Sequence, residues 1–226
     1  MSMTFNRNLF TQMGLDSGSL TILGAVTHSF NEPGEYRGTV RNEKGESLAV
    51  LYISVEKDSP VAQVNIDLAL LVKNAASKSQ TDTCAADENQ FTVNPRGYAV
   101  FRVSEGTGGY NVHIRKAEQE TQQLFDSRNL NSNDIFSGLI IRPGLYSVSN
   151  NNKARAEIDV SYPKIEKTAY RPPGPLRVEV TEKGFVPAKI ALKPGQGISF
   201  DCRTPSRIKI ELSKPNDGPD AGNTHK

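Results

Sequence analysis

The chain has 226 residues, of which 36% are hydrophobic and 23% charged, with 13 Pro, 18 Gly, 2 Cys and no Trp. That length accommodates one large domain or two small ones, and no stretch approaches the roughly 20 apolar residues of a membrane-spanning helix. The net charge of +2 does not point to nucleic acid.

Residues 1–18 are polar and mixed, and read as a flexible arm that could reach a neighbour. They lack the basic start, apolar block and cleavage site of a secretory leader. A place in the cytoplasm or within a virion or other assembly is therefore expected, or secretion if a leader has been removed. From Ser19 the pattern turns to β. Glu32-Pro33-Gly34-Glu35 is a turn, because Pro sets φ at its second position and Gly tolerates positive φ at its third. Tyr36, Gly38 and Val40 alternate after it, and Leu48 to Val55 is apolar on both faces, as in a buried strand. Val64, Ile66, Leu68, Leu70 and Val72 alternate with Asn65, Asp67 and Ala69, which predicts a strand with one buried face. A helix there is the weaker reading. The next residues, to 89, form a long polar loop.

Phe91 to Val103 is β, broken at Asn94-Pro95-Arg96-Gly97, and Val112 and Ile114 alternate beyond a Gly-rich turn. Lys116 to Asn129 is the one expected helix, anchored by Leu124 and Phe125. Strands follow on either side of Arg142-Pro143-Gly144, and again over Ala154 to Val160. A Pro-rich linker, residues 163–175, precedes more β structure with turns at Lys183-Gly184 and Lys193-Pro194-Gly195. The tail, residues 213–226, has the composition of a disordered segment. Residues 164–215 carry 11 basic and 5 acidic side chains. Such a segment can steer an anionic partner, or dock on the acidic remainder of its own chain or a neighbour's.

Two patterns recur. Pro33-Gly34-Glu35-Tyr36, a hairpin and a strand are matched by Pro143-Gly144-Leu145-Tyr146, a hairpin and a strand, 110 residues later. Pro95-Arg96-Gly97 leading to Phe101 and Val112 is matched, from Pro95 to Pro194 over 99 residues, by Pro194-Gly195-Gln196-Gly197 leading to Phe200 and Ile208. The run from Gly184 to Phe200 resembles the start of a cupredoxin, and the Pro-Gly-x-Tyr hairpin resembles the end of one. The resemblance implies an all-β protein of two Greek-key, cupredoxin-like sandwiches. Residues 90–162 would form one complete sandwich. Residues 19–75 and 176–212 would supply split halves of the other, with 76–89 as a loop, and the halves would meet within the chain or between chains. Pro33, Gly34, Tyr36, Pro95, Gly97, Pro143, Gly144, Tyr146, Pro194 and Gly195 are the expected structural turn residues.

The family's chemistry does not follow. A type 1 copper site needs two His and a Cys thiolate, and the hairpin from Tyr146 to Val160 holds no Cys, His or Met. His28, His113 and His225 each read as solvent-facing or as capping a polar contact. Asp82, Asp87 and Glu88 fit no cation loop, Gly106 to Gly109 reads as a hairpin turn, and no catalytic motif occurs. Cys84 and Cys202 lack metal-ligand spacing, and whether they pair is left open. The expectation is a non-catalytic structural or assembly protein (a shell, capsid, filament or accessory subunit), without cofactor or metal. Its partners would be copies of itself or other subunits. The alternative is a ligand-binding module for a glycan or protein, and behind that a metal-dependent electron-transfer protein.

Overall fold

The computed structural model describes residues 12–77, 89–119, 123–162 and 170–218. The chain is all-β and sandwich-like, with strands in three sheets and one helix among the described residues. The strands are β1 (Gly14–Asp16), β2 (Gly24–Phe30), β3 (Gly34–Arg41), β4 (Ser47–Val55) and β5 (Gln63–Asp67). After helix α1 (Leu68–Ser77) come β6 (Gln90–Val93), β7 (Gly97–Arg102), β8 (Asn111–Lys116) and β9 (Gln123–Asp126). The rest are β10 (Ile135–Leu139), β11 (Gly144–Asn150), β12 (Arg155–Val160), β13 (Leu176–Thr181), β14 (Gly184–Val186), β15 (Lys189–Leu192), β16 (Gly197–Cys202) and β17 (Ile208–Pro215).

A central seven-stranded sheet has the order β14-β13-β16-β10-β2-β7-β5. Two five-stranded sheets, β6-β4-β3-β8-β9 and β1-β17-β11-β12-β15, hold the other strands of the described residues. The sequence alternation decides which face of the central sheet is buried. Ile66, Phe101, Val26, Phe136, Phe200 and Val178 are successive cross-strand partners, and each is fully buried. Residues on either side of this row along the strands point the other way and are half-buried or exposed, except Asp201, which is buried. The row is centred on the antiparallel β2–β10 pair, in which Val26 faces Phe136, with Phe101 and Phe200 at matching places on either side. Phe30 on Tyr36 (5.1 Å) and Phe101 on Phe125 (5.7 Å) join the buried face to the first five-stranded sheet.

The repeat shapes the backbone as well as the sequence. Leu23 and Asn133, 110 residues apart, both take positive φ (73° and 75°), as do Gly34 and Gly144 (145° and 149°). The Tyr36 hydroxyl donates to the Glu32 carbonyl (2.7 Å) and the Tyr146 hydroxyl to the Arg142 carbonyl (2.8 Å), so each tyrosine ties down the turn before its own strand. At the second pattern Arg96 and Gly195 share a positive φ (68° and 71°). The Arg96 N–H donates to the Phe30 carbonyl (2.6 Å) and the Gly195 N–H to the Ile140 carbonyl (2.8 Å). Gly97 is buried, and a methyl there would lie 2.7 Å from the Asn94 carbonyl oxygen. Pro33, Pro95, Pro143 and Pro194 stand beside these residues in the same four turns.

Several expectations are corrected. The expected grouping of residues 90–162 as one sandwich is not the hydrogen-bonded one. β6 and β8 pair with β4 and β3, not with β11 and β12. The arm expected over 1–18 ends in β1, which pairs with β17, while residues 1–11 lie outside the described part. The first strands of the two repeats are exchanged, β1 onto β17 and β9 onto β8, and this exchange closes within one chain. The described residues between Lys116 and Asn129 form no helix. β8 runs through Lys116, and Phe125 is buried from strand β9. The helix lies instead at α1, where the expected strand stops at Asp67. The Asp67 carboxylate accepts the Ala69 N–H (3.1 Å) and caps the first turn. Leu68, Leu71, Val72 and Ala75 then have helical spacing and pack on the core. The tail expected from 213 begins inside β17, and residues 219–226 lie outside the description. Cys202 is a free, buried thiol, whereas Cys84 lies outside the described residues.

Candidate functional site

The two ends of the β2–β10 ladder are equivalent by the 110-residue repeat, yet they carry different chemistry. At one end Gly24 faces Gly138. The repeat places His28 where Gly138 stands and Asp134 where Gly24 stands, so the other end is a His28–Asp134 pair. The covering residue differs too. Leu15 of β1 lies over the glycines, and a methyl at either would meet its side chain. Phe125 of β9, the equivalent residue, lies against the His28 ring with centroids 4.7 Å apart.

His28 Nδ1 and Asp134 Oδ1 are 2.7 Å apart, with side chains 9% and 3% exposed. An ionised carboxylate only accepts, so Nδ1 carries the proton. Asp134 Oδ2 accepts the Asn131 N–H (2.7 Å), which fixes the carboxylate from the loop side. The Phe30 ring meets the imidazole edge-on at 4.9 Å. Nε2 is then a lone-pair acceptor in the neutral ring and a donor in the imidazolium. It is buried and has no hydrogen-bond partner in the protein, which costs about 1–3 kcal/mol.

A cleft of about 270 Å³ opens beside this pair, lined among others by His28, Tyr36, Leu124, Asn131 and Asp134. Glu32 and Lys116 stand in its wall and form a close ion pair. Their hydrogen bond raises the Lys116 ammonium above the ordinary lysine value and lowers the Glu32 carboxyl below the ordinary carboxylate value. Burial pushes the Tyr36 hydroxyl up. The equivalent position in the other half, under Tyr146, is nearly filled. About 10 Å³ remains among Leu15, Leu23, Leu139, Ile140 and Ile210.

Comparison of the chain with family models, curated proteins and solved structures found no match.

Of the expected turn residues, the structure brings Tyr36 to the cleft and Tyr146 to its closed counterpart. Sequence reasoning set His28 aside as facing solvent or capping a polar contact, and the buried contact to Asp134 decides between the two. Asp134 was missed. Its signal lies in the repeat, where Gly24 aligns with Asp134 and His28 with Gly138. His113 is half-buried and its Nε2 lies 2.9 Å from Gln123 Oε1. His225, Asp82, Asp87 and Glu88 lie outside the described residues. Among the described residues, no three of His, Cys, Asp and Glu form a metal-holding group.

The outward face of the central sheet carries a second feature. A shallow trough of about 520 Å³ crosses it, lined in part by Leu23, Ala25, Val103, Leu139, Pro175 and Ile198. Ser137, Ser199 and Arg102 complete its floor and rim. Leu139 is 40% exposed there, and Tyr98 and Arg177 stand exposed on the same sheet.

Proposed function

We propose that this protein is a non-catalytic structural or assembly protein. In this reading it presents the outward face of its seven-stranded sheet to other copies of itself or to other subunits of a complex. The carrying observation is the apolar trough on that face, which crosses the β2–β10 junction between the two repeats. Antiparallel sheets often leave one face to water, but that face is then polar. Here the lining includes Leu23, Ala25 and Leu139 beside Arg102 and serines, and apolar patches rimmed by polar groups mark contact surfaces. The sheet edges suit face contact better than edge pairing. β14, β5, β6, β9, β1 and β15 are each 3–5 residues long, and short edges resist strand addition. In the finer form of the reading, two copper-free cupredoxin-like Greek keys share the central sheet. The matched turns at Pro33-Gly34-Tyr36 and Pro143-Gly144-Tyr146 support it.

The test is solution mass by light scattering across a concentration series. A stable assembly is expected, and Leu139→Lys or Ser199→Lys should dissociate it without moving the urea midpoint by more than about 0.5 kcal/mol in stability. A species of 24.7 kDa at every concentration overturns self-assembly. An assembly untouched by both substitutions overturns the face.

A further inference from the structure

We propose that the cleft beside His28 is a binding site for a small, uncharged, hydroxyl-bearing molecule of about monosaccharide size. Three independent features carry this. His28 is 7% exposed, its Nδ1–H is committed to Asp134, and its Nε2 has no partner in the protein. A buried ring nitrogen in that state calls for a polar partner, and a hydroxyl group can serve it as donor or as acceptor. The repeat provides the second feature. At the equivalent position the chain closes the space with Leu15, Leu23, Ile140 and Ile210, leaving about 10 Å³. This fold therefore accepts an apolar plug there. The His28 side instead keeps about 270 Å³ and a polar floor.

The third feature is charge. Lys116 is neutralised by Glu32, and the Asp134 carboxylate is taken up by His28 and the Asn131 N–H. No unpaired cation remains among these groups to select an anion, and no unpaired carboxylate remains to select a cation. The other wall is the apolar body of Tyr36 and Leu124, a surface suited to the C–H face of a sugar or polyol. An apolar wall with a few placed polar groups is the general form of a small-molecule site. The volume is that of a single ring rather than a chain of them. A ligand hydroxyl bonded to Nε2 would complete a chain of hydrogen bonds from ligand to His28 to Asp134 to the Asn131 backbone.

The experiment uses the full chain, labelled with ¹⁵N, and reads the His28 imidazole nitrogens in long-range proton–nitrogen spectra. His28→Gln identifies the signal. D-glucose, D-galactose, D-mannose and glycerol are the probes, and sodium acetate and inorganic phosphate are the charged comparisons. At least one neutral probe should move the Nε2 resonance saturably, with the acetate and phosphate spectra unchanged. Leu124→Trp, which takes up cleft volume without altering either residue of the His28–Asp134 pair, should abolish the shift while the Nδ1 signal stays in place. The proposal is overturned if none of the four neutral probes moves Nε2, if phosphate or acetate moves it instead, or if Leu124→Trp leaves the titration unchanged. None of these readouts depends on whether the protein self-associates.

Discussion

Cys202 is the residue whose environment is most at odds with its ionised form. It is fully buried at the end of β16, and burial, with the Asp134 and Asp201 charges nearby, pushes its thiol from 9.0 up to about 12. The folded state thus holds this proton at pH values where the unfolded chain has released it. Stability from this group is constant below pH 9.0. It then falls by about 1.4 kcal/mol for each pH unit as the pH rises towards the folded value. Urea unfolding at several pH values above 9 should show a steeper decline for the natural chain than for Cys202→Ala. Equal slopes would mean that the thiol titrates as it does in water. The position was legible only in part. Alternation places Cys202 on a strand and Asp201 precedes it directly, but nothing in the local sequence announces Asp134, which arrives from a loop 68 residues away along the chain.

At the scale of elements, the joints that hold the exchanged strands are built twice from the same parts. After β1, the Ser17 N–H donates to the Ile208 carbonyl (3.0 Å), and the Ser17 hydroxyl accepts the Ile208 N–H (3.1 Å). After β9, Ser127 makes the same two bonds to Val112, each 3.0 Å. The aspartate beside each serine carries a guanidinium in two bonds. Asp126 takes it from Arg128 (3.1 and 3.0 Å), whereas Asp16 takes it from Arg207 (2.9 Å twice). Gly18 occupies the repeat position of Arg128, and a methyl there would lie 2.6 Å from Arg207 Nε. One contact is thus preserved in space and supplied from two places in the sequence. Ser17→Ala leaves the buried Ile208 N–H without an acceptor, and Ser127→Ala does the same to Val112. Each should lower stability by about 1–3 kcal/mol, read from urea midpoints. Ser19→Ala, at an exposed contact to Glu43, should stay within about 0.5 kcal/mol. A Ser17 or Ser127 variant as mild as the Ser19 one would show that these joints are not what fixes the strands. The strands and turns were readable here because alternation and Pro-Gly are local signals. α1 was misread because its apolar residues fit both periods over six positions, and the Asp67 cap decided between them. The short β9 was misread because tertiary pairing with β8, and not its polar sequence, makes it a strand.

For the whole molecule, the exchange of first strands determines how the halves depend on each other. Strand patterns and their recurrence could be read along the chain. Which copy each strand would serve could not, because pairing between residues 14–16 and 208–215 leaves no local mark. With β1 in the sheet of β17 and β9 in the sheet of β8, each five-stranded sheet needs a piece from the other repeat. The β2–β10 ladder then joins the buried faces into one core. Unfolding should accordingly be a single transition. Removing residues 1–18 tests this most directly. It strips β1 from β17, takes the Ser17 acceptor from Ile208, and removes Leu15 from above Gly24 and Gly138, leaving a void and an uncovered edge on an eight-residue strand. An open edge of that length recruits strands from other chains. The truncated chain should unfold at lower urea than the full chain and give a larger mass by light scattering at equal concentration. A synthetic peptide of residues 12–23 should reverse both effects by refilling the edge in trans. A truncated chain of unchanged stability and mass would mean that the exchanged strand is dispensable, and that the two halves hold together through the β2–β10 ladder alone.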